Sequence, residues 1–431
     1  VGEYDEALKS YTAALDLLGE FPLLSRASGR VAALHRKAGM VYERKGEYEL
    51  ALEWLTQAQA RLDDRRSAEM ARICTSMAGV LYRQGEGAEA MEWCQRGLEI
   101  AQRSDERGEL AHAYMLRGVL NGSLGNPSQA ISDCLRSLHL CQEIGDLSKQ
   151  ARAHNNLGLH YYYEGDWGQA VVHYSQSLEI RERIGDVNGG ATVSNNLGEL
   201  YLNQGRFDEA AECFQGCLET WERTGYLLGV ALSYRNLGHA CARREEWDAA
   251  LEYLGMSLRK LEEIGSRDWL MAEVYRHFAE VYLGLGEWET AHGFGRRSLG
   301  IAVAQEIKLV EGGARRVLGQ VHRCRGRWDE AEALLRESLR LSEEQGQRYE
   351  TGQALWELAL LYLDRARNGG NGRERAKMAE ALGRAITIFG ELGAQWDLVR
   401  ALKARQVITG GRDHSCRGVN HGTTGSEMGW R

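Results

Sequence analysis

Residues 151–186 read ARAHNNLGLHYYYEGDWGQAVVHYSQSLEIRERIGD, and their spacing decides the fold. Ala153, Leu157 and Tyr161 recur at i, i+4 and i+8, one apolar stripe along a helix, until Gly165-Asp166-Trp167 interrupts the pattern. A second stripe, Ala170, Tyr174 and Leu178, runs on to Ile184 and stops at Gly185-Asp186. The stretch is therefore a helical hairpin. Gly158 and Ala170 are small where the two axes cross closely, and Tyr161, Trp167 and Tyr174 fill the space towards neighbouring hairpins. One hairpin cannot bury its apolar face alone, so similar units must stack on either side of it.

The rest of the chain supplies them in register. A small residue recurs at Gly39, Gly79, Gly118, Gly158, Gly198, Gly238, Ala279, Gly319 and Ala359, at intervals of 39 to 41 residues. Twelve residues beyond most anchors stands an alanine: Ala51, Ala130, Ala170, Ala210, Ala250, Ala291 and Ala331. An aromatic follows three after the anchor at Tyr42, Tyr82, Tyr161, Tyr201, Tyr282 and Tyr362, and a break follows seven after it at Gly46, Gly125, Gly165, Gly205, Gly286 and Gly326.

Composition agrees. The 431 residues contain 51 glycines but only two prolines, Pro22 and Pro127, where average usage gives roughly 22. Such scarcity excludes most loop-rich and all-β architectures, and the glycine excess fits helices only at their ends and crossings. A net charge of −8 argues against a general nucleic-acid surface. No apolar run reaches the roughly 20 residues of a membrane span, and the N-terminus lacks a signal peptide, so a cytoplasmic protein is expected. The nine cysteines form no CxxC pair and fall mostly in apolar-periodic segments, where they read as reduced core residues.

The units resemble the tetratricopeptide repeat. Leu157-Gly158, Tyr161, Gly165-Asp166-Trp167, Ala170 and Tyr174 match its pattern, as do Leu197-Gly198, Tyr201, Gly205-Arg206-Phe207, Ala210 and Phe214. The 40-residue period exceeds the common 34, the surplus lying in segments such as Leu178 to Ile184 that lengthen the second helix. This resembles the long-helix subclass of G-protein-regulator scaffolds, kinesin light chains, bacterial peptide-sensing regulators and signalling ATPases. The fold class is accordingly all-α: an α-α superhelix, or solenoid, of stacked hairpins with about ten tetratricopeptide-type units.

The solenoid is expected over residues 1–406. The chain opens on Gly2-Glu3-Tyr4-Asp5-Glu6-Ala7, the turn and second helix of a unit truncated to residues 1–20, so a longer parent protein is expected. Phe21-Pro22 marks one oversized junction, residues 367–374 read as a loop inserted in the last hairpin, and residues 407–431 as a disordered tail. His414, Ser415 and Cys416 are catalytic residue types, but adjacency along a floppy chain positions nothing. No phosphate loop, HExxH or GxSxG motif occurs, so no enzyme, cofactor or metal is expected.

In the family that this chain resembles, first helices line the concave face, and side chains three before and one after the anchor point into the groove. That rule implies a partner-binding set of Asn155, Asn195, Glu199, Arg235, His239, Arg276, Arg316 and Gln320, with Tyr162 as an aromatic anchor. The implied groove is apolar near residues 76–119, amide and aromatic near 155–203, and basic from Arg235 to Arg323. Carboxamides suit an extended peptide backbone, since they donate and accept at once, and arginine forks suit partner carboxylates. Two readings stay open. Asn156, Asn196 and Asn236 bond to the adjacent hairpin or to a ligand, and the arginines pair with Glu199 and Glu280 or with a partner.

The function expected is a non-catalytic scaffold that holds a partner peptide or helix in the groove, as the sensor or scaffold part of a larger bacterial signalling protein. The alternative is a regulator in which a peptide ligand changes the superhelical pitch. The partner is a protein or peptide, not a membrane, and nucleic acid is disfavoured.

Overall fold

The computed structural model describes residues 2–20, 28–62, 67–104, 106–266, 269–370 and 372–410. The junction at Phe21-Pro22 and the segment with His414, Ser415 and Cys416 lie outside them. The described residues form helices joined by short turns: α1 (Gly2–Glu20), α2 (Ser28–Lys45), α3 (Tyr48–Ala60), α4 (Ala68–Gln84), α5 (Gly87–Arg103), α6 (Arg107–Ser123), α7 (Pro127–Glu143), α8 (Leu147–Glu164), α9 (Trp167–Ile184) and α10 (Val187–Gln204). They continue with α11 (Phe207–Thr224), α12 (Leu227–Arg243), α13 (Trp247–Glu263), α14 (Trp269–Gly284), α15 (Trp288–Ala304), α16 (Lys308–Cys324), α17 (Trp328–Glu344), α18 (Arg348–Arg367), α19 (Gly372–Leu392) and α20 (Gln395–Gly410). Consecutive helices pair as antiparallel hairpins, the arrangement the 40-residue period predicts.

Most of the turns have the same local cause. Gly165, Gly185, Gly205 and Gly225 end their helices at φ between +70° and +95°, the left-handed region that closes a helix without a Cβ penalty. The next residue starts the following helix, and where it is aspartate its carboxylate caps the first turn. Asp166 accepts from the Gln169 amide at 3.0 Å and Asp186 from the Gly189 amide at 2.9 Å.

The helices group into two compact units, Val1–His160 and Tyr161–Arg431. In the first, the hairpins α2/α3, α4/α5 and α6/α7 bury Leu55, Met70, Ile73 and Leu120. The small anchors meet the alanines twelve residues on: a Cβ on Gly118 would lie 2.7 Å from Cys134 Sγ and 3.2 Å from the Ala130 carbonyl. A fully buried Asp133 accepts two bonds from Arg117, at 2.7 and 2.8 Å, and one from Asn121 at 3.1 Å. Burial pushes the thiols of Cys94 and Cys134 up to about 12, so both stay protonated packing groups.

The second unit stacks α9 and the hairpins α10/α11 through α18/α19 around Tyr174, Phe214, Trp221 and Phe389, and α20 follows. Ser257 Oγ of α13 donates to the Ala231 carbonyl of α12 at 2.7 Å, and Cys217 Sγ of α11 makes the same bond to Ala191 of α10 at 3.1 Å. The stack curves until its end meets its beginning. Trp167 packs against Tyr349 with ring centroids 5.8 Å apart, and Phe207 meets Trp396 edge-on at 6.0 Å. Helices reach Arg367 and resume at Gly372, leaving a shorter connection than residues 367–374, and the last helix runs to Gly410, past position 406.

Candidate functional site

The first helices of the hairpins in the second unit, α10, α12, α14, α16 and α18, turn one face inward. Along it runs a ladder of alternating charge that crosses all five. Glu199 of α10 takes Arg235 Nη2 of α12 at 2.8 Å, and Arg235 Nη1 lies 3.5 Å from Glu273 of α14. Arg276 bonds Glu273 and, at 2.7 Å, Glu280 on its own helix. Glu280 then meets Arg316 of α16 at 3.4 Å, and Arg316 Nε lies 3.5 Å from Glu350 of α18.

The three arginines are buried and the carboxylates between them half-buried, so each charge depends on its neighbours. Burial alone would raise the Glu273 carboxyl, but Arg276, its hydrogen bonds, His277 and Arg235 hold it at about 2. Glu280 is likewise held well below the usual range against its burial, by Arg276, His277 and Arg316. His277 is pushed down to about 4 by burial, with Arg276 adding to the effect. His239 packs against it, the rings tilted by 30° with centroids 4.1 Å apart, and is lowered well below 6.5 by the same burial and by His277.

Eight of the nine residues expected in the groove fall in this unit. Asn195 is buried, accepts from Asn236 Nδ2 at 2.7 Å and lies 3.4 Å from Glu199. Tyr162 stacks on Trp167 at 5.9 Å and accepts from Asn203 Nδ2 at 2.5 Å. Asn236 makes the inter-hairpin bond. Arg235, Arg276 and Arg316 all engage internal carboxylates. Asn155 belongs to the first unit and is half-buried there. His239, Arg276, Glu280, Arg316 and Gln320 line one cavity of roughly 870 Å³.

The basic character read for Arg235 to Arg323 is corrected by that cavity. Six arginines line it, from Arg243 to Arg400, and so do six carboxylates, from Glu245 to Asp397. The acids come from neighbouring repeats and cancel the arginines. Tyr349, Gln353, Trp356 and Glu357 of α18 and Trp396, Asp397 and Arg400 of α20 complete the wall. Trp356 stands three before the Ala359 anchor, so the groove rule already reached it. The residues of α20 lie beyond the last repeat, where no register points to them.

One trio, His239, His277 and Glu280, brings ligating atoms within 4.8 Å of one another. It is ill suited to a cation. His277 Nδ1 is 2.8 Å from Glu280 and its Nε2 lies 3.2 Å from Arg276 Nη2, so both ring nitrogens are engaged beside a fixed positive charge.

Three family models described as tetratricopeptide repeat match the chain: one at residues 109–183, 190–263 and 230–302, one at 70–104 and 313–344, and one at 1–69 and 155–223. None of the curated proteins compared matches it. Among solved structures, a Rap protein complexed with competence and sporulation factor is similar at a TM-score of 0.64 and 15% identity, over 85% of this chain and 99% of that one. A Rap conjugation gene regulator of plasmid pLS20, in complex with a Phr peptide, is similar at 0.56 and 14%, over 85% and 98%. The apo form of the quorum sensor NprR from B. thuringiensis is similar at 0.55 and 12%, over 79% and 99%. At these identities the likeness is one of fold.

Proposed function

We propose that this chain, which belongs to the tetratricopeptide-repeat family, is a non-catalytic interaction scaffold whose second unit holds a peptide segment of a partner in its inner cavity. The observation that carries this reading is the cavity itself. Its roughly 870 Å³ falls in the range of ligand sites, and its wall mixes Trp356, Leu360 and Leu363 with balanced charge. Such a wall suits a chain that presents backbone polar groups and side chains of both kinds. The ladder arginines hold the helices in register, and Gln320, Gln353 and Trp356 face the ligand. Two of the similar structures are complexes, one of them with a peptide, which supports the same reading and a sensor or scaffold role in bacterial signalling.

One observation favours a regulator in which the ligand alters the curvature of the solenoid. The unit closes through side chains of α20 and its neighbours, chiefly Arg243 with Asp397 and Phe207 with Trp396, and a ligand in the cavity would press on those contacts.

The test is retention of a random peptide pool by the full chain and by Gln320→Trp, which fills the cavity. Binding lost with the helical circular dichroism intact is the expected result. Equal retention by the variant would place the site elsewhere. Small-angle scattering of the bound chain then separates the two readings, since a static scaffold keeps its radius of gyration.

A further inference from the structure

Arg400 of α20 differs from the ladder arginines. Its guanidinium carbon sits 4.3 Å from the centroid of Trp396 and 5.5 Å from that of Trp356, clasped between two indoles. The nearby acids are engaged elsewhere. Asp397 accepts from Arg243 at 3.1 Å and from the Tyr349 hydroxyl at 2.9 Å, and the Glu357 oxygen facing Arg323 is 3.8 Å from it. Among the described residues no carboxylate lies within ion-pairing distance of Arg400. Burial pushes its guanidinium below the usual arginine range, although Asp397 and Glu357 act at longer range in the opposite direction.

Three further groups beside it have no hydrogen-bond partner, although one of them, Glu357 Oε2, keeps its long ion pair with Arg323. Trp356 is 3% exposed and its indole N–H meets no acceptor; Gln353 is 8% exposed and its side-chain N–H group meets none; the Glu357 Oε2 atom, on a residue 6% exposed, meets no donor. Positions 353, 356 and 357 share one face of α18, and all three line the same cavity as Arg400. Buried polar groups in folded proteins are nearly always hydrogen-bonded, so four groups with unfilled hydrogen-bonding capacity lining one cavity mark a place for a ligand.

We infer that Arg400, Trp356 and Gln353 form an anchor for a carboxylate, with Glu357 accepting an adjacent N–H, and that the ligand is the free C-terminus of a peptide. A single guanidinium with two neutral donors matches one carboxylate, and its fork geometry favours a planar bidentate acceptor. The last residue of a peptide carries that carboxylate and, one atom away from its Cα, an amide N–H for Glu357. Val407 and Ile408 of α20 supply an apolar wall for its side chain. This assignment rests on the cavity being the peptide site proposed above.

The experiment uses the full chain and an N-terminally fluorescein-labelled random hexapeptide pool ending in leucine, prepared as the free acid and as the C-terminal amide, read by fluorescence polarisation. The free-acid pool is expected to bind about tenfold more tightly, the effect of one charge-assisted pairing. Arg400→Gln and, independently, Trp356→Phe should each reduce that preference. Equal binding of acid and amide overturns the anchor while leaving the peptide groove standing; binding of neither pool overturns both. Hexanoate, a carboxylate without an N–H, forms a separate arm. Its binding in place of the peptides, with the same loss in Arg400→Gln, would uphold a carboxylate site and overturn the peptide as its source.

Discussion

Arg243 of α12 donates to Asp397 of α20 at 3.1 Å across 154 residues of sequence. The same guanidinium donates to the Tyr349 hydroxyl at 2.8 Å and lies 4.4 Å from the centroid of Trp396. Burial opposes its charge, yet Tyr349 and Asp397 keep it above the usual arginine range. Asp397 itself is 4% exposed. The closure of the second unit therefore includes a buried ion pair beside the apolar cluster that joins Trp167 and Tyr174 to Leu355, Phe389 and Ala401.

Removing one partner of such a pair leaves an uncompensated buried charge, which costs about 3 kcal/mol. Asp397→Asn should lower stability by about that amount and free α20 first. Hydrogen exchange is the measurement: amides of residues 395–408 should lose protection while those of α13 and α14 keep theirs. Uniform loss of protection would mean that α20 does not open by itself.

The ladder predicts a cost that spreads. Glu280 holds Arg276 at 2.7 Å, His277 at 2.8 Å and Arg316 at 3.4 Å. Glu280→Gln takes from each of two buried guanidinium groups one of its two carboxylates, leaving Arg276 with Glu273 and Arg316 with Glu350, and a loss of about 2 kcal/mol in chemical denaturation is expected. The double variant Glu280→Gln with Arg316→Gln should lose less than the sum of the singles, because the second change removes a charge that the first has left less compensated.

The titrating groups of this face give stability a defined pH dependence. His277 titrates at about 4 in the folded chain against an ordinary 6.5, so the unfolded chain binds the extra proton. Its contribution is complete above pH 6.5 and is lost as the pH falls towards 4. Glu273, held at about 2 against an ordinary 4.5, adds a second loss between those values. Urea midpoints measured across this range should fall on acidification in both windows, and His277→Gln should flatten the upper one.

How much of this was legible in the sequence follows from the range of the interactions. The hairpins, their order and their tight crossings repeat every 40 residues, so nine copies of a weak local signal reinforce one another. The ladder left a fainter trace: Glu199 precedes Arg235, and Glu280 precedes Arg316, by 36 residues each, one repeat less one helical turn. That offset could have identified the arginines as internally paired. Arg243 with Asp397 has no such regularity. That contact arises only when the curvature of the stacked hairpins brings α20 back to α12, and curvature is the sum of small rotations that no single repeat displays.

The glycine register itself makes the last prediction. Helix ends in this chain take positive φ at glycine, but Glu306 does so at +56° and Glu245 at +62°. Both occupy turns where the neighbouring repeats place glycine: Gly205 and Gly286 on either side of Glu245, Gly265 and Gly346 on either side of Glu306. A residue with a Cβ pays about 1 kcal/mol for the left-handed region, partly offset by the greater freedom that glycine has when unfolded. Glu306 is exposed and its turn keeps the backbone bond from the Glu306 amide to the Val303 carbonyl at 3.2 Å, so replacement removes strain without removing a core contact. Glu306→Gly should therefore stabilise the chain by about 0.5 kcal/mol in chemical denaturation, whereas Glu306→Ala, which keeps the Cβ, should not. Equal effects of the two substitutions would show that the gain comes from the lost charge and not from the backbone.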